Sequence, residues 1–144
     1  MREIKFRAWL KKSKIMVEVL QISIESKCIL MKGEPLEYVV FREFEGDDIW
    51  SGISFEDIEL MQYTGLKDKN GVEIYEGDIV KIFDDGYETI CVVRYENGFF
   101  DLYKKSDKTA SGYENYDDFI AFTNYDYDFE VIGNIHENPE MLEV

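Results

Sequence analysis

Short segments rich in β-branched and aromatic residues, cut apart by turn residues, dominate the second half of this chain. Asn70-Gly71, Glu76-Gly77-Asp78, Asp84-Asp85-Gly86 and Glu96-Asn97-Gly98 supply the turn residues. Between them lie Val72–Tyr75, Ile79–Phe83, Thr89–Tyr95 and Phe99–Tyr103. Strands of about five residues, with turn signals every 8–12 or so, are the pattern of a small barrel or sandwich. Asn70-Gly71 is the clearest of these turns, because Asn-Gly supplies the positive-φ residues a tight reversal demands.

The first half reads as β structure too. Ile4, Phe6, Ala8 and Leu10 alternate with Lys5, Arg7, Trp9 and Lys11, the period of a half-buried strand. Lys11-Lys12-Ser13-Lys14 is a short polar connection suited to a hairpin. Ile15, Val17 and Val19 keep one parity, and Leu20, Ile22 and Ile24 take the other, as a bulge would produce. Cys28–Met31 and Leu36–Phe44 read as further strands. Ser54-Phe55-Glu56-Asp57 has capping-box spacing, so a helical turn over 54–60 competes with a strand entering Leu60–Tyr63. Tyr113–Tyr127 alternates aromatics with acids, Phe129–Ile135 reads as the last strand, and Asn138-Pro139 opens a final turn with Asn138 as its N-cap.

Composition narrows the class. At 144 residues, with 45% hydrophobic and 33% charged residues, the chain is long enough for a real core and too apolar for a disordered one. No apolar run approaches the roughly 20 residues of a membrane span, and the charged N-terminus has no signal-peptide apolar stretch. Cys28 and Cys91 make no disulfide framework and read as reduced thiols of a cytosolic protein. A net charge of −15 argues against direct binding of nucleic acid. That charge is uneven. Residues 1–32 hold eight bases and three acids, a net +5, while the rest holds eight bases and 28 acids, a net −20. The basic strands are expected to pack beside acidic ones, within the chain or between copies, or simply to form a solvated face.

Leu60-Met61-Gln62-Tyr63-Thr64-Gly65-Leu66-Lys67-Asp68-Lys69-Asn70-Gly71, followed by Glu73-Ile74-Tyr75-Glu76-Gly77-Asp78-Ile79-Val80, resembles the central signature of the YopX family of phage and prophage proteins. Glu3–Trp9 resembles the opening strand of that family, and Val131–Leu142 its closing segment. The resemblance spans nearly the whole chain, weakly in 20–58 and 103–128. It implies a small protein of a bacteriophage or prophage in the cytosol of a bacterial host. It implies no established biochemical activity and carries over no catalytic residues.

The candidate chemistry is sparse. Asp68, Asn70 and Gly71 faintly resemble a calcium loop, but the glycine comes two positions early, so Asp68 is expected to bond the N–H groups of the turn instead. Glu76 and Asp78 form a carboxylate pair without a nucleophile or second histidine beside them. Gly77 then supplies a bend and Asp78 a side-chain-to-backbone bond. His136, the single histidine, lies far in sequence from Cys28 and Cys91, without zinc-ligand spacing. Tyr63, Thr64, Gly65, Asp68, Asn70, Gly71, Glu76, Gly77 and Asp78 are therefore read as a structural turn motif, and no metal or cofactor is expected.

Residues 107–130 carry seven acids and one lysine. Within them, Tyr113, Glu114, Tyr116, Asp117 and Asp118, then Tyr125, Asp126, Tyr127 and Asp128, interleave tyrosines with carboxylates. Such a stripe suits a basic partner or imitates nucleic acid; the simpler reading is a solvated β-hairpin. The expected architecture is mainly β, with an N-terminal β lobe over 1–60 and a small SH3-like barrel over 61–144. The expected role is non-enzymatic: an accessory protein that binds a protein partner or its own copies, with no membrane. Mimicry of nucleic acid to block a DNA-binding protein is the alternative, and an enzyme of unrecognised type the third.

Overall fold

The computed structural model describes residues 3–33, 41–46, 48–84, 86–106, 108–118 and 128–142. The first part of the strand expected over 36–44, Asp85, and Tyr125, Asp126 and Tyr127 lie outside them. The protein is nearly all β, as its punctuation demands, and the only helical segments among the described residues are two single 3-10 turns. The chain divides into two compact units, Ile4–Gln62 and Tyr63–Val144, the latter joined by Met1–Glu3.

In the Ile4–Gln62 unit, β1 (Phe6–Leu10) and β2 (Ile15–Glu18) form the hairpin closed by the lysine turn. Lys14 reverses the chain at φ 55°, its N–H donating to the Leu10 carbonyl at 2.8 Å. The parity switch after Val19 is a change of sheet and not a bulge. After β2 the chain leaves β1, and β3 (Gln21–Ser23) pairs instead with β4 (Cys28–Lys32). The second sheet runs β3-β4-β6-β5, with β5 Phe41–Glu45 and β6 Asp48–Ser54. Both readings of 54–60 are partly realised. Phe55–Asp57 is a 3-10 turn whose first N–H groups include Glu56, bonded to Ser54 Oγ at 3.3 Å. The chain then enters β7 (Ile58–Lys67) directly, and the first residues of β7 pair with β1. Ala8, Leu10, Ile29, Met31, Ile53 and Ile58 form the core between these sheets.

In the other unit, the last residues of β7 pair with the short β8 (Glu73–Tyr75). Then β9 (Asp78–Asp84), β10 (Tyr87–Glu96), β11 (Phe99–Lys105) and β12 (Tyr113–Asp118) follow as successive hairpins. β13 (Asp128–Asn134) returns to pair with β9, giving the antiparallel order β12-β11-β10-β9-β13. Because side chains alternate along a strand, this sheet has two packed faces. One buries Ile74, Val80, Ile82, Cys91, Val93 and Leu102. Each fully buried aliphatic side chain of this kind contributes about 1.5–3 kcal/mol. The opposite face buries Ile79 and Val92 under Leu142, from the C-terminal 3-10 turn Pro139–Leu142.

Asn138 does not cap that turn with its side chain. Its Oδ1 accepts from the Asn134 N–H at 3.3 Å, while the Met141 N–H donates to the Asn138 backbone carbonyl at 3.1 Å. The reason is the preceding strand: a bulge at Val131/Gly133 brings Gly133 against the Asn138 side chain, so close that a Cβ there would lie 2.5 Å from Oδ1.

Candidate functional site

The signature residues first form a turn built on one carboxylate. Asp68 is 7% exposed. Its Oδ1 accepts from the N–H groups of Asn70 at 2.8 Å and Val72 at 2.9 Å, and its Oδ2 from the Val131 N–H in β13 at 2.9 Å. Bonds from N–H to an ionised carboxylate are among the stronger hydrogen bonds a fold makes. Gly71 sits at φ 79°, where an L side chain is disfavoured. Behind the turn, the register of β7 on β8 shifts between Tyr63 and Lys67. Thr64 occupies that irregularity: its buried hydroxyl donates to the Ile74 carbonyl at 2.7 Å and accepts from the Leu66 N–H at 3.2 Å. Gly65 bends the strand there at φ 86°. Tyr63 is buried, its ring 5.3 Å from that of Tyr75.

The second carboxylate works the same way. Asp78 is 1% exposed and its Oδ2 accepts from the Tyr75 N–H at 2.8 Å across Glu76-Gly77. Gly77 donates its N–H to the Val93 carbonyl at 2.8 Å, and its own carbonyl accepts from the Ile135 N–H at 2.9 Å. Ile135 belongs to the closing segment, where Asn134 Oδ1 accepts from the N–H groups of His136 and Glu137 at 3.0 and 2.9 Å. The central and closing motifs, some 60 residues apart in sequence, thus bond to each other through Asp68–Val131 and Gly77–Ile135, beside the ladder that pairs Asp78–Val80 with β13. With backbone N–H groups on Asp68 and Asp78, this arrangement organises backbone. Glu76 is half-buried beside them.

The acidic stripe divides between the two sides of β12. Glu114 pairs with Lys104 at 3.0 Å and accepts from Ser106 Oγ at 3.1 Å. The Lys104 ammonium and the Ser106 hydroxyl hold its carboxyl below the usual range. Tyr116 packs against the Ile74–Leu102 core, with Lys104 Nζ 5.7 Å from its ring centre. Tyr113 lies on the opposite face. Asp117 and Asp118 fall within β12, their side chains outside the description, and Asp128 is exposed at the start of β13.

The face that carries Tyr113 holds a cluster not visible in the linear sequence. The Arg94 guanidinium carbon lies 4.2 Å from the Tyr113 ring centre and 5.2 Å from that of Tyr103, and its Nη1 lies 3.6 Å from Glu96 Oε1. The Tyr103 hydroxyl donates to Glu96 Oε2 at 3.1 Å. Burial, and next that bond, raise the phenol pKa of Tyr103. Phe99, opposite Glu96, is 41% exposed. The same face also carries Lys81, paired with Glu88, and Lys69, paired with Glu130, both at 3.8 Å. A crevice of about 350 Å³ runs past Ile90 and Lys105 beside Met141 and Leu142. Only the register, Val92 opposite Tyr103 and Lys105 opposite Tyr113, brings these side chains together.

Cys28 and Cys91 are buried thiols, in different units. Burial pushes Cys91 up to about 12. Among the described residues no three His, Cys, Asp or Glu side chains gather in a group able to hold a metal ion. Nor, among those residues, is any helix long and apolar enough to cross a membrane. The lysine turn of β1–β2 meets acidic neighbours within its own unit: Lys11 Nζ bonds the Glu56 carbonyl at 3.1 Å and lies 3.8 Å from Glu59.

Known proteins agree with this architecture. Residues 5–143 match the family model described as YopX protein. The SPbeta prophage-derived uncharacterized protein YopX of Bacillus subtilis (strain 168) is 38% identical over 80 residues. That match covers 51% of this chain and 52% of the relative, so the chain spans about half the length of the curated relative it matches. A crystal structure of protein EF1440 from Enterococcus faecalis superposes with a TM-score of 0.59 at 28% identity, covering 99% of each chain. With the family model matched from the first strand to the C-terminal turn, the chain belongs to the YopX family.

Proposed function

We propose that this chain is a phage accessory protein that acts by binding another protein, and that it does so through the Arg94 face of its five-stranded sheet. One observation carries the reading. The unit Met1–Glu3 plus Tyr63–Val144 holds eight bases against 20 acids, a net −12, yet the side chains described on this face are close to balanced in charge. Its cations Lys69, Lys81 and Arg94 each sit beside a carboxylate, and tyrosines and Phe99 lie between. Tyr, Phe and Arg are enriched at protein interfaces, and Arg and Tyr are the side chains that most often dominate binding energy. The signature carboxylates Asp68 and Asp78 are engaged with backbone and leave this role to the face.

The test is affinity capture from infected or lysogenic cells with the wild-type chain and with Phe99→Ser. Phe99 is 41% exposed and carries no charge, and circular dichroism checks that the variant is folded. The expected result is loss of the captured partners by a folded variant. Undiminished capture of the same partners would remove the face from the binding reaction.

A further inference from the structure

The binding role proposed above leaves the partner open; we infer that it is a second copy of this chain, docked two-fold symmetrically on the same Arg94 face. A two-fold interface joins one patch to itself, so the patch must complement its own rotated image. Most of this acidic chain cannot do that, because acids would meet acids. The Arg94 face can. On β10, Arg94 and Glu96 are two residues apart and project to the same side, with the Tyr103, Tyr113 and Phe99 rings beside them. A copy turned through 180° sets Glu96 against Arg94 and Arg94 against Glu96, ring against ring. Of the side chains described on this face, four are cationic (Lys69, Lys81, Arg94, Lys105). Five are anionic (Glu88, Glu96, Asp101, Asp128, Glu130), and with Asp101 buried the described charges left at the surface balance, four against four. A basic partner would be drawn to the acids elsewhere instead.

Two consequences follow from the charges. The copies each carry −15, so they repel at long range while the docked faces attract at contact. Raising salt from about 0.01 M to about 1 M shortens the screening length from about 30 Å to about 3 Å. Self-association is therefore expected to strengthen several-fold, the reverse of assembly between a basic and an acidic surface. The second consequence is a charge exchange. Arg94→Glu and Glu96→Arg each place like charges across the two-fold axis, and each alone is expected to stay monomeric. Mixed in equal amounts, they restore opposite charges at both positions and are expected to pair with each other.

Sedimentation equilibrium on the full chain reads both, with circular dichroism confirming that each variant is folded; Phe99→Ser is the fallback that leaves charge untouched and should also weaken pairing. A wild-type chain that is monomeric at high salt and high concentration overturns the inference. So does a dimer that weakens with salt, or a variant mixture that associates no better than its components. A monomeric wild type whose cellular partners are still lost with Phe99→Ser would overturn self-pairing alone and leave the binding role of the face in place.

Discussion

Removing the Asp68 carboxylate should cost substantial stability, because three backbone N–H groups depend on it. In Asp68→Ala three N–H groups lose their acceptor. Those of Asn70 and Val72 lie in an exposed turn and recover water, so each forfeits only the net value of a bond, about 0.5–1.5 kcal/mol. The Val131 N–H sits in a half-buried strand, where an unmet donor costs about 1–3 kcal/mol. Together the loss is about 2–6 kcal/mol, a large share of the stability of an ordinary domain. Asp68→Asn is the discriminating companion. It keeps one acceptor oxygen for the turn and turns an amide donor toward Val131, so it should fall between wild type and alanine. Urea unfolding measures this, with a slope of about 1–3 kcal/mol per molar giving midpoint drops of about 1 M or more for alanine. The signal matters: Trp9 and Trp50 both lie in the Ile4–Gln62 unit, so tryptophan fluorescence would miss the event, and far-ultraviolet dichroism or tyrosine signals are needed. An Asp68→Ala midpoint equal to that of wild type, read by a probe in the right unit, would refute the assignment of Asp68 as the centre of this turn.

Gly71→Val should cost about 1–3 kcal/mol purely through backbone strain, because nothing lies within 4 Å of the added Cβ; an unchanged urea midpoint would contradict that. Gly133→Ala should cost a similar about 1–3 kcal/mol by collision, and Asn138→Ala in the same chain should recover part of it; strictly additive losses in the double variant would deny the contact. Alkylation of the native protein should leave Cys28 and Cys91 unlabelled until denaturant is added, and rapid native labelling would show them accessible. Because burial raises the Cys91 thiol from 9.0 to about 12, the unfolded chain loses this proton first as pH rises above 9. Stability should therefore fall between pH 9 and 12 more steeply in wild type than in Cys91→Ala, by up to about 1.4 kcal/mol per pH unit; parallel curves would contradict this.

Much of the fold was legible because punctuation and parity are local properties. The Asn70-Gly71 reversal, the lysine-turn hairpin and the strands from Ile79 to Tyr103 follow from turn residues and period-two alternation alone. Where reading along the chain failed, a distant segment had intervened. The parity switch after Val19 looks like a bulge until β4 is seen to claim the residues that follow. Asn138 looks like a cap until the Gly133 bulge draws its side chain back onto Asn134. The ambiguity at 54–60 arose because a 3-10 turn and a strand follow one another without a break. The site was less legible for the same reason. Nothing in the sequence links Arg94 to Tyr103 and Tyr113, three strands whose register is fixed only on folding, while the attention-catching acids of β12 include one, Glu114, already held by Lys104.

The central claim is that the carboxylates of Asp68 and Asp78 bind backbone, and that Asp68 and Gly77 tie the central motif to the closing segment. Amide hydrogen exchange tests it most directly. In the wild-type chain the amides of Val72, Tyr75, Val131 and Ile135 should exchange slowly, with Val131 and Ile135 in the slowest class of their unit. Asp68→Asn should then release Val131 while the Ile29 and Ile53 amides of the other unit keep their protection. A Val131 amide that exchanges as fast as that of Lys108 in the exposed turn, or one indifferent to Asp68→Asn, would contradict the account.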